Sequence, residues 1–351
     1  MEIDVSGFEA NNNNNSHGEI EEIEDEIDKR FKCFKNFDIT SDPPSDHHFS
    51  HHKKSTNNNK HVFFGSNNSL AKNLQKEWKV LETNLPDFIL VRAYQNRIDL
   101  MRAAVIGPPN TPYNHGVFFF DIVFPSNYPA MPPKLFYHSN GLDLNPNLHP
   151  DGKVSLRLLQ KWNPKQSNLL QLLVSIPCLV LNSKPCLNQF HRLYLFYELE
   201  VLKYNKNAFM LTCEAMMRTL QMPPRHFKDF VAGHFRQRAH PILLKYKEHM
   251  DEDESECMRQ SFLKLLKAFE ENGAYCKHHL ISQTGMDDSR NKENQSPKSF
   301  KLFKNFGIII NPRPENRFTM SKSWKALKNV HRTKYILLWK QKCRNDESGR
   351  R

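Results

Sequence analysis

Apolar positions fall into two regimes of spacing along this chain. In SLAKNLQKEWKVLETNLP, residues 69–86, Leu70, Leu74, Trp78, Leu81 and Leu85 recur every three to four residues, which predicts an amphipathic helix. Ser69 is placed to cap its start and Pro86 to follow its end. The period then shortens. FILVRAY, LMRAAVIG and GVFFFDIVF are short runs rich in β-branched and aromatic residues. Gly107-Pro108-Pro109 ends the second and Pro125 the third, so three strands separated by turns are expected. KLFYHS, 134–139, is a fourth. Between the third and fourth, FPSNYPAMPPK carries Pro125, Pro129, Pro132 and Pro133, which predicts a rigid, extended surface segment.

Helical spacing returns afterwards. SNLLQLLVSIPCLVLNS, 167–183, reads as an apolar helix capped by Ser167 or Asn168 and kinked or interrupted at Pro177. NAFMLTCEAMMRTLQM and PPRHFKDFVAGHFRQRAHPILLKYKEHM predict two further helices. In ECMRQSFLKLLKAFEENG, Met258, Phe262, Leu265, Leu266 and Phe269 form one stripe that Gly273 ends. One helix, a four-stranded antiparallel meander and then C-terminal helices make a small α+β fold with helices segregated from the sheet.

Composition sets the limits of this unit. Residues 1–68, with runs at Asn11–Asn15 and Asn57–Asn59, are expected to be a disordered, low-complexity N-terminal region. Within it, Glu19–Asp28 reads as a solvated acidic stretch, with a partner-binding helix on Ile20, Ile23 and Ile27 as the alternative. The expected divisions are this region, a folded core over 69–250, an amphipathic helix over 251–281, a linker over 282–298 and a basic tail over 299–351. The net charge is +12, and residues 297–351 hold 15 Lys and Arg against 3 Asp and Glu, which accounts for all of it. The folded part therefore gives no reason to propose nucleic-acid binding. The tail reads as a nuclear-entry signal or a surface for an acidic partner, and its Phe303, Trp324 and Trp339 leave room for weak folding.

No stretch is long and apolar enough for a membrane span, and MEIDVSGFEA lacks the pattern of a signal peptide. Seven cysteines, an odd number without a CxxC pair, suit reduced thiols in cytoplasm or nucleus. His47, His48, His51 and His52 have i,i+4 spacings, but no cysteine or carboxylate set completes a metal site there, and no metal is expected.

The chemistry-bearing stretch is LNPNLHPDGKVSLRLL, residues 144–159. It is recognisable together with its surroundings. TPYNHGVFFFDIVFPSNYPAMPPK resembles the T-P-Y-x-x-G…F-x-x-x-Y-P-x-x-P-P signature of ubiquitin-conjugating enzymes. Asn145-Pro146-Asn147 resembles that family's His-Pro-Asn tripeptide, with Ser155 eight residues on at the position of the nucleophilic cysteine. LLQKWNP resembles the Trp-x-Pro loop that follows. FDITSDPPSDHHF, YNKNAF and RHFKDFVAGHFRQR resemble the large plant class with N- and C-terminal extensions. The resemblance runs from about Leu70 to Tyr246.

It implies the fold of that family and its reaction. A cysteine accepts the C-terminal glycine of ubiquitin from the activating enzyme as a thioester and passes it to a lysine or a ligase cysteine. It implies no cofactor on this chain, ATP being used by the activating enzyme. The implied partners are ubiquitin, the activating enzyme and ubiquitin ligases. Asn147 would hold the loop or donate to the oxyanion, a role typically worth about 10²–10³ in rate. Asn145 stands in the usual histidine's structural place. Ser155 departs from the family, and a serine hydroxyl is a weak nucleophile without an adjacent base. His149 is a candidate base, but no third residue orients it, and the plainer reading is a solvated turn histidine. Cys178 and Cys186, 23 and 31 residues further on, are poor substitutes, Cys178 reading as a core thiol. LNSKPCLNQ offers Asn182, Ser183 and Lys184 but no acid to help an acceptor lysine.

Two functional readings follow: an enzyme of the ubiquitin pathway whose own conjugating step is impaired, or a non-catalytic module that binds ligases or an active conjugating enzyme. The partner surface would be formed by the first helix, the proline loop and the tryptophan loop, with Pro129, Met131, Trp162 and Pro164 as apolar contacts. Bracing the fold is the alternative role, preferred for Tyr128, Pro132 and Pro133 and evenly balanced for Met131 and Trp162. A decaying or mispredicted gene product is a third possibility.

Overall fold

The computed structural model describes residues 25–51, 69–183, 197–251 and 255–280. Two short elements come first, helix α1 (Glu26–Lys32) and strand β1 (Phe37–Thr40). Helix α2 spans Ser69–Asn84, so Ser69 is its first helical residue, and Leu70, Leu74, Trp78 and Leu81 are buried along one side. Strands β2 (Ile89–Tyr94), β3 (Leu100–Ile106), β4 (Val117–Val123) and β5 (Lys134–Tyr137) form the expected antiparallel meander. A single turn, α3 (Arg157–Gln160), precedes α4 (Leu169–Ser175), whose N-terminus is capped by the Asn168 side chain. At Pro177 the chain widens into a π-helical segment, Ile176–Val180. Helices α5 (Tyr197–Gln221), α6 (Lys228–Asp251) and α7 (Glu256–Glu271) complete the fold.

The sheet has five strands, not four, in the order β1-β2-β3-β4-β5. The added strand lies parallel to β2 and corrects the expectation of disorder for residues 25–51. Its four residues, FDIT, carry too weak a pattern to signal a strand. Order comes instead from the edge of β2, where the Val91 amide donates to the Asn36 carbonyl at 2.7 Å and the Gln95 amide to the Thr40 carbonyl at 2.9 Å. The end of the acidic run is tied to the fold as well. Asp25 and Asp28 lie 2.6 and 3.5 Å from Arg236 on α6. At Gly233 of α6 an added Cβ would stand 2.4 Å from Phe31, so only glycine lets α1 pack this close. The remaining part of the N-terminal region, the linker and the basic tail lie outside the described residues.

Both faces of the sheet are covered. The front packs on α2, α4 and the π segment through Val91, Ala103, Phe120 and Ile122 against Leu74, Leu81, Leu172 and Leu173. The back, through Leu90, Ala104 and Phe119, packs on α5, α6 and α7. Helix α7 buries its whole stripe in that same cluster, so it belongs to the folded unit and is not a separate element beyond residue 250. Among the described residues no helix is long and apolar enough to cross a membrane.

Candidate active site

The loop between β5 and α3 is a small hairpin. Pro150-Asp151-Gly152 supplies its turn, with the Gly152 amide donating to the His149 carbonyl and the His149 amide to the Lys153 carbonyl, both at 2.9 Å. Gly152 has φ +85, and a Cβ there would stand 2.1 Å from the Phe136 ring, which fixes glycine at this point. The Tyr137 amide donates to the Gly152 carbonyl at 2.8 Å and ties the hairpin to β5.

This register decides which side chains meet. Leu148 bridges to Val154. Alternation then puts Asn147, His149, Lys153 and Ser155 on one face and Leu148 and Val154 on the other. Leu148 is fully buried and anchors the inner face. On the outer face His149 and Ser155 are diagonal neighbours, and His149 Nε2 lies 2.9 Å from Ser155 Oγ. His149 is therefore not simply a solvated turn residue. A neutral imidazole protonated on Nδ1 accepts the serine hydroxyl at Nε2, the geometry of a nucleophile and its base. Among the described residues nothing hydrogen-bonds Nδ1, so no third group orients the ring.

Asn147 brackets the serine from the other side. The Ser155 amide donates to the Asn147 carbonyl at 2.8 Å, and Asn147 Nδ2 donates to the Ser155 carbonyl at 2.9 Å. Of the two expected uses of Asn147, holding the loop is the one this geometry supports. Asn145 is buried and fully engaged. Its Nδ2 donates to the Tyr113 hydroxyl at 2.8 Å and to the Val180 carbonyl at 2.9 Å, while its Oδ1 accepts from the Asn147 amide at 2.9 Å. An asparagine thus suffices to fasten the loop to the π segment, and burial among these groups pushes the Tyr113 hydroxyl's pKa up.

The apolar rim has unequal members. Trp162 is half-buried, and its Nε1 donates to the Pro129 carbonyl at 2.8 Å, so both brace the proline loop against the tryptophan loop. Met131 is 52% exposed and Pro164 is also exposed. Tyr128, Pro132 and Pro133 are buried or half-buried, in a bracing role. Asn182 donates to the Leu179 carbonyl at 2.6 Å, while Lys184 and Cys186 lie outside the described residues. Cys178 is half-buried in the π segment.

Glu77 was not among the expected site residues. This buried carboxylate on α2 accepts from the Tyr128 hydroxyl at 2.6 Å and from the Leu169 amide at 3.0 Å, joining the proline loop and the start of α4. Burial raises its pKa, partly offset by those two hydrogen bonds. A glutamate on the apolar stripe, one residue before Trp78, was the available signal.

His47, His48 and His51 do not converge. His47 Nε2 sits 3.0 Å from the Met101 carbonyl, and His48 stacks on Phe136 with ring centroids 3.6 Å apart. His51 is exposed, and His52 lies outside the described residues.

Comparison with known proteins agrees with this geometry. The family model for ubiquitin-conjugating enzymes matches residues 73–210. The chain is 38% identical to the probable ubiquitin-conjugating enzyme E2 23 of Arabidopsis thaliana over 273 residues, which is 70% of this chain and 23% of that protein. It is 45% identical to the probable ubiquitin-conjugating enzyme E2 25 of the same plant over 222 residues, 60% of this chain and 35% of that protein. The chain thus spans only about a quarter to a third of those two relatives. It covers more of the putative ubiquitin-conjugating enzyme E2 39 of Arabidopsis thaliana, at 41% identity over 236 residues, 62% of this chain and 70% of that protein. Sheet, hairpin and proline loop, together with these matches, place the chain in the ubiquitin-conjugating enzyme family.

Proposed function

We propose that this chain acts in the ubiquitin pathway with a weakened conjugating step of its own, because Ser155 stands where the family carries its cysteine. The observation that carries this reading is the Ser155–His149 pair, 2.9 Å apart, with no group orienting Nδ1 among the described residues. In the proposed step, Ser155 Oγ attacks the thioester carbonyl of ubiquitin's C-terminal glycine on the activating enzyme. Its proton passes to His149 Nε2, a C–O bond forms, the C–S bond breaks, and the departing thiolate takes up a proton. The product is an oxyester, a poorer acyl donor than a thioester, so onward transfer to lysine is slow. No cofactor is needed on this chain, ATP being consumed by the activating enzyme. Reduced thiols and the basic tail support work in cytoplasm or nucleus.

A second reading rests on the rim. Met131 and Pro164 stand exposed on loops that Trp162 and the Pro129 carbonyl lock together, a preformed surface for ligases or for an active conjugating enzyme. This is the non-catalytic module.

A charging assay separates the two. The chain is incubated with activating enzyme, ATP and ubiquitin, beside Ser155→Cys, Ser155→Ala and His149→Ala. A thiol-resistant, alkali-labile adduct, absent in Ser155→Ala and formed about 10²-fold more slowly in His149→Ala, supports the acyl-accepting reading. No adduct on the native chain, with a thiol-sensitive one on Ser155→Cys, supports the module. Charging and discharge of the native chain as fast as those of Ser155→Cys refute impairment.

A further inference from the structure

Three histidines converge far from the hairpin. His240 lies on α6, and His278 and His279 are adjacent in the segment after α7. His240 Nδ1 is 2.9 Å from His279 Nε2 and 3.2 Å from His278 Nε2, and all three nitrogens lie within 4.8 Å of one another. We propose that His240, His278 and His279 form a site for a divalent ion of zinc type, with a fourth, open position for water.

The geometry fits the ion. Zinc takes imidazole nitrogens at about 2.0–2.1 Å in a tetrahedron, which sets neighbouring ligand atoms about 3.3 Å apart. The two short separations lie just under that spacing. The donor set is three neutral imidazoles, suited to a borderline-soft ion and not to calcium or magnesium. Coordination would place the three protons on His240 Nε2 and on Nδ1 of His278 and His279, each facing away from the ion.

His279 is buried, while His240 and His278 are exposed, so the cluster opens to solvent on one side. Lys247 Nζ donates to the His279 carbonyl at 2.8 Å and also lies over the Phe262 ring. The ammonium is thus bound to the peptide behind the cluster. Its charge works against an incoming cation, and three ligands on a neutral set must outweigh it. The site would fasten the end of the described chain to α6, joining positions 38 and 39 residues apart. Nothing in the sequence reading pointed there, because the partners are separated by a whole helix.

The test uses the full chain without an affinity tag, titrated with zinc against a chromogenic chelator and with cobalt for its visible spectrum. One equivalent should bind, and the cobalt form should show the intense absorption of four-coordinate geometry. His240→Ala and His278→Ala should each weaken zinc binding by at least about 100-fold. Both residues are exposed, so the metal-free variants should melt with the native chain. Zinc should raise the melting temperature of the native chain and not of the variants. No binding at micromolar zinc, a six-coordinate cobalt spectrum, or affinity unchanged by both substitutions overturns the site.

Discussion

The two faces of the sheet are built on opposite principles. On the front, the inward positions of β2, β3 and β4 are apolar throughout, and the face is closed by leucines of α2 and α4. On the back, Leu90, Ala104 and Phe119 alternate with Arg92, Arg102 and Asp121, all buried. The antiparallel register sets Arg92 directly opposite Arg102, and Arg102 opposite Asp121. Arg102 donates to Asp121 and Asp46, while Arg92 lies over the Phe34 ring at 4.2 Å and donates to the Lys35 carbonyl. The second Asp121 oxygen accepts from the His48 amide at 2.7 Å and lies 2.8 Å from His138 Nε2. An apolar face is satisfied by volume, whereas a charged one is satisfied only by particular partners. Here those partners come from the N-terminal segment, which explains why residues 34–48 are ordered at all. Buried ion pairs add little net stability over apolar packing, yet losing one partner is costly.

The sharpest test of that contrast uses neighbours on one strand. Asp121→Asn leaves the fully buried Arg102 guanidinium short of its counter-charge and should cost about 3–5 kcal/mol in denaturant unfolding. Ile122→Val, one residue on and facing the front, should cost about 1 kcal/mol. A cost for Asp121→Asn no larger than that of Ile122→Val would erase the distinction.

Acid should find the back face next. Burial, with Arg238 beside it, holds the His115 pKa down to about 4, and burial does the same for His234 on the inner side of α6. Both folded values lie below the unfolded value of about 6.5, so the unfolded chain binds more protons between them and stability falls as pH falls through that window. Each should remove on the order of 3 kcal/mol between about pH 6.5 and 4. Asp121 acts lower. Its burial alone would raise the pKa, but the hydrogen bonds and charges of His138 and Arg102 prevail and hold it below the carboxylate range. Its share of stability is lost only in stronger acid. Unfolding midpoints across pH for the native chain and for His234→Gln measure the histidine window, and an unchanged slope in the variant would remove His234 from this account.

What the sequence disclosed follows the same division. The front face was legible: the leucine stripe of α2, four strands, Asn168 as cap and the break at Pro177 all appear where local pattern places them. The back face was not. GVFFFDIVF reads as one apolar run because both faces are buried, and alternation disappears when neither side meets water. Its single charge, Asp121, with Arg92 in FILVRAY and Arg102 in LMRAAVIG, was the hint of a second, polar interior. Strand β1 and the docking of α1 depend on partners about 54 and more than 200 residues away, beyond any local window. At the hairpin, Ser155 and Asn147 were singled out by their match to the family motif. The His149 contact needed the register, which Pro-Asp-Gly at 150–152 fixes but which a linear reading treated as an open loop.

The smallest expected effect probes a buried charge on the front. Glu77 holds the Tyr128 hydroxyl and the Leu169 amide, and burial raises its pKa. A folded value above the unfolded one means that the native state binds the extra proton. Glu77's contribution is therefore complete in mild acid and shrinks as pH rises through its folded pKa, opposite in sign to the back-face histidines and to Asp121. Glu77→Gln keeps a carbonyl oxygen for the Leu169 amide and offers its NH₂ to the Tyr128 oxygen, so its cost should be only about 1 kcal/mol. That cost should be larger near pH 5, about the reference carboxylate range, than near pH 8. Denaturant unfolding of the pair at both pH values reads it directly. A cost that grew with pH would make Glu77 a stabilised anion like Asp121, and the front would then share the electrostatic design of the back.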